Sequence, residues 1–186
     1  MSANHAAFNL IFRFVENYVS PIAGRISSQR HVMAIRDGFI SAMPFMIVGS
    51  FLLVFAYPPF SPDTTWGFAR AWLDMAKQFE GQILTPFDMT MGVMSLYICA
   101  AIAYNLGKHY VKTHQLDPFM CAMLSLMAFL LVAAPKTKGA LPVDSLGGTG
   151  IFTAILVAIY CVEMMRFLKA HNIGIRLPDQ VPPMIK

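Results

Sequence analysis

Residues 38–57 read GFISAMPFMIVGSFLLVFAY, 20 positions without a charged side chain. A helix rises about 1.5 Å per residue, so this stretch reaches about 30 Å, the thickness of a bilayer's hydrocarbon core. Three more uncharged runs follow: 89–107 (19 residues), 118–135 (18) and 145–162 (18), the last becoming apolar near Ile151. One such helix can be buried in a soluble protein. Four in 186 residues leave too little polar surface to cover them. Composition agrees: 56% of residues are hydrophobic and 13% are charged, against about 25% charged in soluble domains. The sequence therefore predicts an all-α, polytopic membrane protein with four transmembrane helices plus two amphipathic helices.

The expected spans are 32–57, 86–106, 117–134 and 149–168. They divide the chain into an amphipathic N-terminal segment (1–31), a four-helix membrane domain (32–168) and a proline-rich tail (169–186). In residues 6–20, Phe8, Ile11, Phe12, Val15 and Val19 recur at helical spacing, and Pro21 is expected to end that helix. Pro44 lies inside the first span and predicts a kink near residues 40–44, with Ser41 or a neighbouring helix taking up the freed carbonyl. The second amphipathic helix is expected over 64–82, capped by Asp63, Thr64 or Thr65, with Arg70 and Asp74 forming an i,i+4 pair. Its face of Trp66, Ala69, Trp72, Leu73 and Ala76 suits a membrane interface. Residues 136–148 contain Pro142 and Gly147-Gly148 and read as irregular. No internal repeat is found. Gly49-Ser50, and Ala100-Ala101 with Ala103, offer small surfaces for close helix contact.

Four spans put both termini on one side. That side holds ten Lys and Arg (Arg13, Arg25, Arg30, Arg36, Lys108, Lys112, Arg166, Lys169, Arg176, Lys186). The other holds four (Arg70, Lys77, Lys136, Lys138). The asymmetry predicts that both termini are cytoplasmic. Met1 to Ala7 carries no Lys or Arg, so no secretory signal is read, and the first span is expected to direct insertion. The net charge of +4 does not mark a nucleic-acid binder, because the basic residues flank apolar runs and form no stripe.

Enzyme signatures are missing: there is no phosphate loop, no G-x-G-x-x-G, no H-E-x-x-H and no G-x-S-x-G. Neither a cofactor nor a metal is expected. Cys99, Cys121 and Cys161 lie in apolar runs without metal spacing and read as small buried hydrophobes. His5, His31, His109, His114 and His171 read as solvated loop or tail residues. No catalytic residue is assigned. Ionisable groups at membrane depth are functional candidates, and few exist. Asp37 and Asp88 sit at the ends of their runs. Asp88 has the chemistry to hydrogen-bond sugar hydroxyls. Glu163, with Arg166 three residues on, reads first as an interfacial ion pair. Asp88, Asn105 and Glu163 are the candidate substrate-binding residues.

A series of motifs resembles one family. Ser20-Pro21-Ile22-Ala23-Gly24-Arg25 with Gln29-Arg30-His31 is followed by Ala34-Ile35-Arg36-Asp37-Gly38-Phe39-Ile40, Met43-Pro44 and Ile47-Val48-Gly49-Ser50-Phe51. Ile102-Ala103-Tyr104-Asn105-Leu106, Ala128-Phe129-Leu130-Leu131 and the stretch 147–155 come next. Glu163-x-x-Arg166-Phe167 and Leu177-Pro178-Asp179-Gln180-Val181-Pro182-Pro183 complete the series. In order and spacing these resemble the sugar permease (IIC) components of the bacterial phosphotransferase system, in the lactose/cellobiose/chitobiose branch. The resemblance implies translocation of a β-linked disaccharide or β-glucoside, such as cellobiose or chitobiose. It implies phosphorylation by a partner IIB that is supplied by IIA, and a homodimer built largely on first-half helices. Family members continue past the Val-Pro-Pro segment into a second half with the main sugar-binding residues. This chain is therefore expected to be the N-terminal, scaffold and dimerisation half. The alternative is a non-transporting remnant or interaction module that assembles with another IIC or with IIB.

Overall fold

A computed structural model describes residues 20–134 and 143–173, except the side chains of Pro21 and Ile22. Among the described residues the elements are helical: α1 (Ser20–Ser27), α2 (Arg30–Ala56), α3 (Gly67–Thr90), α4 (Met94–His114), α5 (Pro118–Ala133), a 3-10 turn (Gly148–Gly150) and α6 (Ile151–Ala170). The expected helix over 6–20 and the tail from 174 lie outside the described residues. Pro21 stands in the first turn of α1, a position where its missing N–H costs nothing.

Among the described residues three stretches are long and apolar enough to cross a membrane: Arg30–Ala56, Gly67–His114 and Gly148–Ala170. α5 is apolar but has only 16 residues. Asp117 caps it, its carboxylate accepting from the Phe119 N–H at 2.9 Å. α2 is helical through Pro44. The Ser41 hydroxyl donates to the Asp37 carbonyl at 2.8 Å, so it does not serve Ile40, the carbonyl that Pro44 frees.

α4 is the central helix. Ser95, Ile98, Cys99, Ile102, Ala103, Leu106, Gly107 and Tyr110 are buried along it, a full-length stripe at helical period. α2, α5 and α6 surround it, α5 also meets α6, and α3 leans chiefly on α2. α2 turns Ala34, Gly38, Ala42, Gly49 and Ala56 inward. At Gly38 a Cβ would fall 2.4 Å from Ile102 Cγ1 and 2.9 Å from its backbone nitrogen. Only glycine permits this approach of α2 to α4. Gly49 meets Thr90 and Met91, and Ala103 is fully buried, so each expected small surface places one residue in a packed contact, while Ser50 is exposed. Many large apolar side chains point outward, Phe51, Leu131 and Phe152 being 62%, 73% and 71% exposed, while Ile98, Ile102, Leu106 and Phe129 fill the axis. Small residues inside and bulky apolar ones outside is the packing of an integral membrane protein.

The boundary expected between residues 82 and 86 is not there. The second amphipathic helix and the start of the expected second span are one helix, α3, with Pro86 inside it. The interruption comes at Met91–Gly92–Val93. A Cβ on Gly92 would lie 2.4 Å from the Asp88 carbonyl oxygen, so glycine lets the chain leave the helix there. The N-cap of α3 is Trp66, without a side-chain cap bond. Arg70 Nε donates to the Thr64 carbonyl at 3.0 Å, and no Arg70–Asp74 ion pair forms among the described residues.

Candidate functional site

The break between α3 and α4 has a definite depth. Thr90 and Met91 touch Gly49, near the middle of the uncharged run 38–57, and the ring of Phe45 stacks on Tyr97 with centroids 4.5 Å apart. The non-helical residues 91–93 therefore lie level with the centre of that apolar stretch. Exposed backbone at such depth is tolerated where it lines a cavity. A cavity is present: a cleft of about 560 Å³ lined by residues that include Asp88, Met91, Gly92, Asp144, Gly147 and Gly148.

The cleft's far wall is tied down by α4. The Ser95 N–H donates to the Leu146 carbonyl at 2.9 Å, and the buried Ser95 hydroxyl donates to the same oxygen. Two donors at the start of α4, otherwise unpaired in the helix, thus hold the turn 143–147. Thr149 Oγ1 donates to the Asp144 carbonyl at 3.0 Å, and the Tyr97 hydroxyl donates to the Met89 carbonyl at 2.8 Å. Asp88 is exposed at the cleft, so the structure moves it from the outer end of a run to the edge of a mid-depth break. A carboxylate beside backbone amides and carbonyls suits a polar, hydroxyl-rich ligand.

Glu163 belongs to a different cluster at the other end of the bundle. His31 Nε2 lies 2.9 Å from Glu163 Oε1, the Tyr110 hydroxyl donates to that same oxygen, and Arg166 Nη1 lies 3.1 Å from Oε2. Arg166 also donates to the Tyr110 hydroxyl at 3.1 Å. The guanidiniums of Arg30 and Arg166 lie 5.4 and 5.1 Å from the Tyr110 ring centroid, within cation–π range. α2, α4 and α6 are thus clasped by one carboxylate. The sequence reading of Glu163–Arg166 as a local pair found one of its three partners. His31 is no loop residue: it lies in the first turn of α2, and His109 and His114 lie in α4.

Asn105 donates from Nδ2 to the Ala101 carbonyl of its own helix at 2.9 Å. The three candidates therefore do not converge. Ser95, beside the cleft, and Tyr110, in the clasp, are separated by 15 residues of α4, about 22 Å at 1.5 Å per residue. Ser95, Tyr110 and His31 are the residues that sequence reasoning missed. Each is an ordinary helix residue until its long-range partner is known. Among the described residues no group of three metal-ligating side chains occurs.

Comparison with known proteins gives this architecture its family. The model for "Phosphotransferase system, EIIC" matches residues 36–186. The chain is 35% identical over 189 residues to the cellobiose-specific EIIC component of Geobacillus stearothermophilus, covering 93% of this chain and 40% of that protein. It is 34% identical to the lichenan permease IIC component of Bacillus subtilis (strain 168), covering 95% and 40%. The crystal structure of the transporter ChbC, the IIC component from the N,N'-diacetylchitobiose-specific phosphotransferase system, superposes with a TM-score of 0.74 at 34% identity. That match covers 93% of this chain and 41% of ChbC. The chain thus spans about two fifths of the length of these relatives. It belongs to the EIIC family of the phosphotransferase system.

Proposed function

We propose that this chain is the scaffold half of a phosphotransferase-system sugar permease that moves a β-linked disaccharide or β-glucoside, of the cellobiose or chitobiose type, to a partner IIB for phosphorylation. IIA supplies IIB in that scheme, and the permease works as a homodimer. The observation that carries the reading is the broken helix at residues 91–93 with its cleft at mid-depth. Interrupted helices are how membrane carriers present polar backbone to a substrate. Asp88 is the residue to which we give a sugar-facing role. Asn105 Nδ2 is bonded within its own helix and Glu163 ties three helices together, so we give them structural roles.

The topology proposed with this function has four spans, at 32–57, 86–106, 117–134 and 149–168, in the bacterial inner membrane. α3 and α4 share the second span across their break. Segment 1–31 and tail 169–186 are cytoplasmic, on the side of the clasp. The basic residues described at that end, Arg25, Arg30, Arg36, Lys108, Lys112, Arg166 and Lys169, outnumber Arg70 and Lys77 at the other, in keeping with the positive-inside rule.

Uptake of labelled cellobiose or chitobiose in cells lacking their own permease tests the function. No uptake is expected from this chain alone, and uptake is expected when a matching second half is co-expressed. Asp88→Asn in the assembled permease should lower uptake while leaving membrane insertion unchanged. Uptake by the chain alone sinks the division of labour. Co-purification with a full-length IIC, without uptake in any combination, makes the chain an interaction module instead.

A further inference from the structure

α3 changes partners along its length. Trp72 Nε1 donates to the Phe55 carbonyl at 3.2 Å, and the Tyr57 hydroxyl donates to Glu80 at 3.0 Å. Ala56 and Tyr57 share a small cavity with Leu73, Ala76, Lys77 and Glu80. Trp72, Leu73, Ala76, Lys77 and Glu80, spread over about 12 Å of helix at 1.5 Å per residue, thus meet residues 55–57 at the end of α2. From residue 80 to 90 the partner on α2 moves from 57 back to 49. The second half of α3 therefore runs alongside α2, whereas the first half crosses its end. Gly81 and Pro86 lie between the two parts, and the Thr85 hydroxyl donates back to the Gly81 carbonyl at 2.8 Å. Proline and back-bonding of this kind bend helices.

The crossing half has three faces, read at about 100° per residue. Ala69 and Ala76 are buried, on the side of α2. Arg70, Asp74 and Lys77 are exposed on a second face, and neither Arg70 nor Lys77 forms an ion pair among the described residues. Opposite to them stand Phe68, Trp72, Met75 and Phe79, of which Phe68, Met75 and Phe79 are 68%, 44% and 40% exposed. Phe68, Trp72 and Met75 of this face line a groove of about 340 Å³ with Phe55 and Ala71. Trp66, 66% exposed, stands at the helix start against Phe60.

We propose that residues 67–80 form an in-plane lipid-docking helix at the bundle end opposite the Glu163 clasp, and that the Phe55–Trp72 groove takes a phospholipid acyl chain. The helix crosses the end of a bilayer-length run, and its apolar and cationic faces point in opposite directions. That is the arrangement of a boundary between hydrocarbon and headgroups. Arg70 and Lys77, neither of them in an ion pair among the described residues, complement lipid phosphates, and the indole of Trp72, its N–H already bonded, turns only ring surface to the groove. The proposal rests on the membrane placement and not on the sugar reading; a chain that moves no sugar would give the same result below.

The chain's two tryptophans are Trp66 and Trp72, so intrinsic fluorescence reports on this helix alone. The full chain is reconstituted in vesicles of phosphatidylethanolamine and phosphatidylglycerol doped with phosphatidylcholine brominated at shallow or deep acyl carbons. Trp66→Phe isolates Trp72, and Trp72→Phe isolates Trp66. We expect shallow bromines to quench Trp72 several-fold more than deep ones, and aqueous iodide to quench Trp66 more than Trp72. Phe68→Asp, at an exposed position, should reduce the bromine quenching of Trp72 while circular dichroism stays unchanged. Strongest quenching by deep bromines would mean a transverse helix and overturn the proposal. Iodide quenching without bromine quenching would mean a water-facing helix. Quenching by neither would mean a protein cover, such as a second copy, and either result also overturns it.

Discussion

At the residue scale, Glu163 shows how a side chain can be legible in kind and illegible in role. The i,i+3 spacing to Arg166 is visible in the sequence, and the pair exists at 3.1 Å. His31, 132 positions away, and Tyr110, 53 away, are not readable as partners. Such contacts depend on which helix ends meet. The consequence is measurable. Glu163→Ala removes the acceptor for three groups and leaves the guanidiniums of Arg30 and Arg166 beside Tyr110 without their carboxylate. A half-exposed pair alone is worth little, but lost charge-assisted bonds cost about 1–3 kcal/mol. Thermal unfolding in detergent should show that loss, with a smaller one for Glu163→Gln, which keeps an acceptor. Equal stability of Glu163→Ala and the parent chain would remove the clasp from the account. Asp88 follows the same logic in reverse: its sequence position marks the end of a run, yet its surroundings make it the carboxylate at a helix break.

At the element scale, the hydrophobic runs located α2, α5 and α6 closely, because an uncharged run of bilayer length leaves few alternatives. α3 and α4 were divided in the wrong place. Pro86 is a strong signal for a boundary in water, but a helix can carry proline where neighbouring groups satisfy the freed backbone. Gly92 gave a weaker sequence signal and is where the helix stops. Another glycine yields the sharper test. Gly38→Ala puts a methyl 2.4 Å from Ile102 Cγ1 and 2.9 Å from its backbone nitrogen, and overpacking of this kind costs about 1–3 kcal/mol. Ser50→Ala, on the exposed side of the same helix, should change stability by less than about 0.5 kcal/mol. If both variants melt together, the close approach of α2 and α4 is not what holds the bundle.

At the scale of the whole molecule, the helices packed on α4 bury mostly Ala, Gly, Cys and Ser against its Ile98, Ile102, Leu106 and Tyr110, and the exterior is rich in Phe, Leu, Met and Ile. In hydrocarbon nothing drives large apolar side chains inward, so helices associate through the residues that let backbones approach. One end carries the clasp and most described basic residues, and the other carries the Trp66–Trp72 helix. That polarity predicts topology. A reporter active only in the periplasm should be silent when fused after Lys186 and active when inserted between residues 61 and 65. The opposite pattern would invert the proposed orientation. The sequence by itself determined that this chain is helical, lies in a membrane and carries the motif order of the EIIC family, because run length and local spacing are properties of neighbouring residues. Only the tertiary structure decided that α4 is the axis, that the break at Gly92 opens a cleft beside Asp88 at the level of Gly49, and that Glu163 ties three helices together. Those facts depend on which residues far apart in the chain meet, and the periodicity of one helix carries no record of its neighbours.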